Sequence, residues 1–210
     1  MIPPQIPELI DRFNAVAGPY LCYFPAASCI EQSRILVEVL QALDVKAEAV
    51  GTAMTVLCPA LNVAYVTGVT AEERARGKAA AGEWVDRPSR DGKAGEDCGH
   101  VVVVAVIDCE HFLIDPTIGQ ASMPERGVVI PRYAMPIGPL SQRPEPGCEL
   151  VAGLDLGDGK SIEVTWLLRE ARTFEATPAW EPSHLWPLIG RVVREMKWAA
   201  TVAARRRSPS

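Results

Sequence analysis

An α+β domain, one long helix packed on an antiparallel sheet, is the fold class this sequence predicts. Three observations carry that expectation. Residues 29–43 place Ile30, Leu36, Val37, Leu40 and Leu43 on one face at close to a 3.6-residue period, with small Ser33 among them. The segments 48–58, 61–66 and 101–107 are rich in valine and other strand formers. Asp158-Gly159 sits between two apolar-rich runs, 150–156 and 161–168, as a hairpin turn does.

In order along the chain, residues 7–16 read as a short amphipathic helix carrying Ile10, Phe13 and Val16. The segment Pro25-Ala26-Ala27-Ser28 is small and turn-like, and Ser28 is an expected N-cap for the helix that Cys29 opens. Two strands follow, over 48–58 and 61–66. Residues 68–99 then change character, becoming rich in Ala, Gly, Glu, Arg and Lys, with a helical patch at 71–76. They read as a loop or lid insertion, and Trp84 is its one large apolar residue. His100 to Thr117 reads as strand, turn, strand, with Asp108 and Cys109 at the turn and His111 at its tip. A proline-rich connection over 124–146 has room for one short strand. The 150–168 hairpin and a final helix over 183–200 complete a single domain spanning 1–204. Residues 205–210, opening with Arg205-Arg206-Arg207, are expected to be a disordered basic tail.

Cys29, His100 and Asp115 stand out against this frame. The unpaired N–H groups of a helix start favour an anion, so a cysteine there is placed to act as a thiolate. His100 opens the run Val101 to Val104, and Asp115 closes the next apolar segment in Asp115-Pro116-Thr117. A two-residue turn at Asp108-Cys109 sets Val102 opposite Asp115 and leaves His100 on the same face one pleat away. That diagonal is about 7–8 Å, within reach of long side chains. A register shifted by one residue would separate the two groups to opposite faces. A thiol, an imidazole and a carboxylate so arranged are a nucleophile, its general base and the group that orients the base.

These residues resemble the transglutaminase-like superfamily of papain-fold cysteine enzymes. Three patterns support the likeness: a Cys opening a helix that ends in a Leu43-Asp-Val-Lys-Ala47 segment, a His starting an apolar strand, and Asp-Pro-Thr about fifteen residues later. The likeness covers roughly Pro25 to Gln120. The His is followed here by Val101 and Val102 where the family has a small residue and an aromatic. The resemblance implies a papain-like fold and a Cys29–His100–Asp115 triad acting on an amide or peptide bond through an acyl-enzyme, as a peptidase or deamidase. The Cys29 backbone N–H would be one oxyanion donor, and Tyr20, Tyr23 and Trp84 are candidates for substrate contact. The rival readings are an acyltransferase of arylamine N-acetyltransferase type using acyl-CoA, and an inactive binding module of the same fold.

Composition narrows the remaining classes. The net charge is −5, so no overall basic balance points to nucleic acid. No apolar stretch reaches a membrane-spanning length, and no basic leader precedes an apolar core at the N-terminus, so a cytoplasmic protein is expected. The six cysteines show no C-x-x-C pair. Cys98-Gly-His100 and Cys109-Glu-His111 are short pairs without the repeated spacing of a zinc site, and neither a metal nor another cofactor is expected. The expected partner is a peptide, a protein or a small amide.

Overall fold

The computed structural model describes residues 10–13, 15, 28–70, 73, 82–86, 99–131, 133–139, 141–170, 172–176, 180–181, 183 and 185–207, with backbone alone for Ser28, Trp84, Asp86, Thr173 and 198–207. The protein is a mixed α/β fold with a mostly antiparallel sheet. Helix α1 (Ser28–Gln41) leads into β1 (Ala47–Cys58), β2 (Val63–Thr67), β3 (Glu83–Asp86), β4 (His100–Ile107), β5 (Glu110–Asp115), β6 (Tyr133–Pro139), β7 (Glu149–Gly157) and β8 (Lys160–Leu168), and α2 (Trp186–Arg207) follows.

Strand β1 organises the sheet because it is long enough to hold three partners. Its first half pairs with β4 and its second half with β2, while β8 runs along residues 52–57. Thr52 pairs with both His100 and Leu168, so β4 and β8 flank β1 on opposite edges. Val56 pairs with both Tyr65 and Val164, which puts β2 opposite β8 as well. Strands β2 and β4 therefore lie end to end along one edge of β1. They meet where Gly99 abuts Gly68, and Thr67 Oγ1 donates to the Gly99 carbonyl at 3.0 Å. Both glycines have positive φ.

The sheet has two differently covered faces. Ser33, Ile35, Leu36, Val39 and Leu40 of α1 are buried, and the helix packs with Ile189 and Val192 of α2 over Val101, Val103, Phe112 and Ile114. The opposite face curls around Met54, Val102, Leu113, Val164 and Trp166. The curl is strong, since Trp166 on β8 and Asp115 on β5 touch although β1 and β4 lie between their strands. Burial on both faces accounts for the unbroken valine run of β4. Strands β7 and β8 are covered on one face only and alternate accordingly.

Most boundaries fall within a few residues of expectation; some placements differ. Ser28 is itself the first helical residue instead of the cap before it. Strand β2 starts two residues late because Pro59–Leu61 form a 3-10 turn closed by left-handed Asn62. The sheet is not wholly antiparallel, since β3, inside the 68–99 insertion, pairs parallel to β2. His111 lies within β5 and is buried, not at the hairpin tip, because the turn is the tight pair Asp108-Cys109, both with positive φ. The run Arg205–Arg207 is the last turn of α2 in place of a free tail; alanines and arginines are good helix formers. Among the described residues, no helix is long and apolar enough to cross a membrane.

The Gly99–Gly68 contact has a measurable consequence. A Cβ at Gly99 would run into the Gly68 backbone, and φ of +50° is strained for any L side chain. Gly99→Ala is expected to lower unfolding free energy by about 3 kcal/mol, read by urea denaturation, whereas Gly153→Ala, with open space at its Cβ, should change it little.

Candidate active site

Helix α1 crosses the start of β4, and one hydrogen bond fixes the crossing. Ser33 Oγ donates to the Val101 carbonyl at 2.9 Å. That contact holds the first turn of the helix, which carries Cys29, against the strand end that carries His100. The Cys29 side chain is partly exposed, whereas the His100 ring is buried.

The β4–β5 register is the one that a turn at Asp108-Cys109 gives, with Val103 opposite Ile114 and Val104 opposite Leu113. His100 and Asp115 consequently meet on one face. His100 Nε2 lies 2.8 Å from Asp115 Oδ2, with Asp115 wholly buried. Since Nε2 is engaged by the carboxylate, Nδ1 is the ring atom left to face the Cys29 sulfur, which is near enough to help raise the His100 pKa. Thiol, imidazole and carboxylate thus form one connected line.

Electrostatics favour a charged imidazole. Burial alone would push the His100 pKa down. The Asp115 carboxylate, its hydrogen bond and the Cys29 sulfur outweigh that and raise it to about 10. Asp115 shows the converse balance. Burial would raise its pKa, but the His100 charge and hydrogen bonds from His100, Trp166 and the Thr117 backbone hold it below the ordinary carboxylate range.

Sequence reasoning missed two supports of this line. Trp166 Nε1 donates to Asp115 Oδ2 at 2.9 Å, and Thr117 N donates to Oδ1 at 3.0 Å. A buried indole needs an acceptor, which is a signal in the residue type, but nothing in the order of residues says that β8 curls back to β5. A further neighbour is Thr52, paired across from His100, fully buried and with its hydroxyl unpartnered. Of the suggested substrate contacts, Tyr20 and Tyr23 lie outside the described residues. Trp84 is placed in β3, with its side chain likewise outside them. A cleft of about 730 Å³ lies elsewhere, against β1, the end of β8 and the 141–146 loop, and none of the three triad residues lines it. Among the described residues, no cluster of His, Cys, Asp and Glu suits a metal ion.

Comparison with protein-family models, curated proteins and solved structures finds no match to this chain.

The ion pair makes stability depend on pH on both sides. The folded-state value of His100 lies above its ordinary 6.5, so its contribution is complete below 6.5 and is lost as pH rises toward about 10. The folded-state value of Asp115 lies below its ordinary 3.8, so its contribution is complete above 3.8 and is lost as pH falls through the lowered value. Asp115→Asn is expected to remove the alkaline flank and to move the acid one, stability then falling as pH drops below 6.5 because burial alone lowers the His100 value. It should cost about 3–5 kcal/mol near pH 6, the cost of leaving one member of a buried pair alone. Urea denaturation across a pH series checks both.

Proposed function

We propose that the protein is a cysteine-dependent acyl-transfer enzyme that hydrolyses an amide or peptide bond. One observation carries the reading: a single buried imidazole is hydrogen-bonded to a carboxylate and lies beside a thiol at a helix start. A purely structural histidine paired with a buried carboxylate has no need of a thiol at a helix start on its other side.

Each group has a role in such a reaction. The Cys29 sulfur attacks the carbonyl carbon, and the oxyanion that forms faces N–H groups of the first turn of α1. The proton held by His100 passes to the leaving nitrogen, which departs as an amine or ammonia and leaves a thioester on Cys29. Water then gives a proton to His100 and attacks the thioester, releasing the acid and the thiolate. Asp115 keeps the imidazole in one orientation and balances its charge throughout. The resemblance to transglutaminase-like and papain-fold enzymes agrees with this assignment of roles, and the curled, mostly antiparallel sheet behind a nucleophile helix is compatible with it.

Intact-mass and peptide mass spectrometry after incubation with activated amides and esters tests the reading. An acyl adduct on Cys29 that is lost in Cys29→Ala, and whose formation slows about 10²- to 10⁴-fold in His100→Ala, is the expected result. Labelling by acetyl-CoA in preference to amides would favour the acyltransferase. Absence of any adduct, with an undiminished biological effect of Cys29→Ala, would favour a binding module.

A further inference from the structure

Asp115 receives more hydrogen bonds than orienting a histidine requires. Oδ1 accepts the Thr117 backbone N–H, and Oδ2 accepts from both His100 and the Trp166 indole. We propose that Trp166 is a positioning residue for the triad, its indole N–H holding the carboxylate oxygen that meets His100 and keeping that oxygen free of a proton. The inference deepens the proposed chemistry and rests on that reading of Cys29 and His100.

The reason lies in what an indole can do. Its N–H donates and cannot accept. A proton on Oδ2 would set two donors, the carboxylic O–H and the indole N–H, against the same lone-pair space, with the His100 N–H as a third. A carboxylic acid is therefore disfavoured at that oxygen, and the proton stays on the imidazole, where leaving-group protonation needs it. Asparagine-like neutrality of Asp115 would leave His100 without its counter-ion.

Trp166 is itself tightly held. It is fully buried on β8, paired with Met54 of β1 and Leu150 of β7. Tyr133 stacks on it with ring centroids 5.9 Å apart and planes 9° from parallel. Tyr133 is also the cross-strand partner of Asp115 on β6. Among the described residues, the titratable groups gathered around the carboxylate are thus His100 on β4, Cys29 beyond it on α1, and Tyr133, whose own pKa burial raises. Of these, none donates to Oδ2 besides His100, and Trp166 supplies the second donor there.

The test is an NMR pH titration of the His100 imidazole in the full chain, in wild type, Trp166→Phe and Tyr133→Leu. Phenylalanine keeps an aromatic ring for the Tyr133 stack and deletes the N–H. In Trp166→Phe, the acid-side transition, where Asp115 takes up a proton, is expected to move up by about one pH unit, the worth of one hydrogen bond to a charged group. Tyr133→Leu should lower stability and leave that transition in place. An unmoved transition in Trp166→Phe overturns the proposal. Equal movement in both variants also overturns it, since loss of packing and not of the N–H would then be the cause. If Trp166→Phe does not fold, the wild-type indole N–H resonance serves instead: it should move with the Asp115 transition, and indifference to that transition overturns the proposal. The titration reads the imidazole and not the thiol. An unreactive Cys29 would therefore defeat the acyl-transfer reading without deciding this one.

Discussion

Removing a carboxylate from water costs several kcal/mol unless charge and hydrogen bonds replace its solvation, and Asp115 is removed from water completely. The replacements come from three places in the chain: His100 at the start of β4, Trp166 near the end of β8, and the Thr117 backbone and hydroxyl just past β5. The sheet has to curl for β8 to reach β5, and the β4–β5 register has to be correct to the residue for His100 to share a face with Asp115. A fold that failed either condition would leave a buried charge alone. The buried pair therefore selects for one register and one curvature, as well as bringing together the groups the proposed chemistry uses.

Helix α1 is bound into the same arrangement from the other side of the sheet. Its apolar face covers Val101 and Val103, and Ser33 bonds the Val101 carbonyl one residue from His100. Strand β4 is thus held by a helix on one face and by the curled sheet on the other, and its first residue has little freedom. The Gly99–Gly68 approach sets the point at which β4 begins, because no side chain fits there. Cys29 is the contrasting member, partly exposed at the helix start. A rigid buried base beside an accessible thiol is the division of labour that acyl transfer requires, in which the substrate must reach the sulfur and the proton carrier must not move.

Much of this was legible from residue order because it depends on local rules. The periodicity over 29–43 marked the helix, and the valine run marked β4. A tight turn at Asp108-Cys109 was enough to put His100 and Asp115 on one face, since strand side chains alternate with a period of two. The parts that were not legible depend on distant segments meeting. Trp166 follows the nearest triad residue by 51 positions, and its role exists only because the sheet curls. The parallel pairing of β3 with β2 needs a crossover that the polar composition of 68–99 does not announce. His111 belongs to the strand by the same rule, since the two-residue turn that sets His100 beside Asp115 also pairs His111 with Val106; a place at the tip is inconsistent with that register. The final helix outran its expected end because the arginines that suggested a solvated tail are also good helix formers.

The central claim is that Cys29 and His100 form an activated thiol–imidazole pair. The most direct measurement is the rate of iodoacetamide alkylation at each cysteine as a function of pH, read by peptide mass spectrometry, in wild type and His100→Ala. The account predicts that Cys29 reacts much faster than Cys58, Cys109 and Cys148 below pH 7 and that His100→Ala removes the advantage at that pH. A Cys29 that reacts no faster than the exposed Cys109, with or without His100, would contradict it.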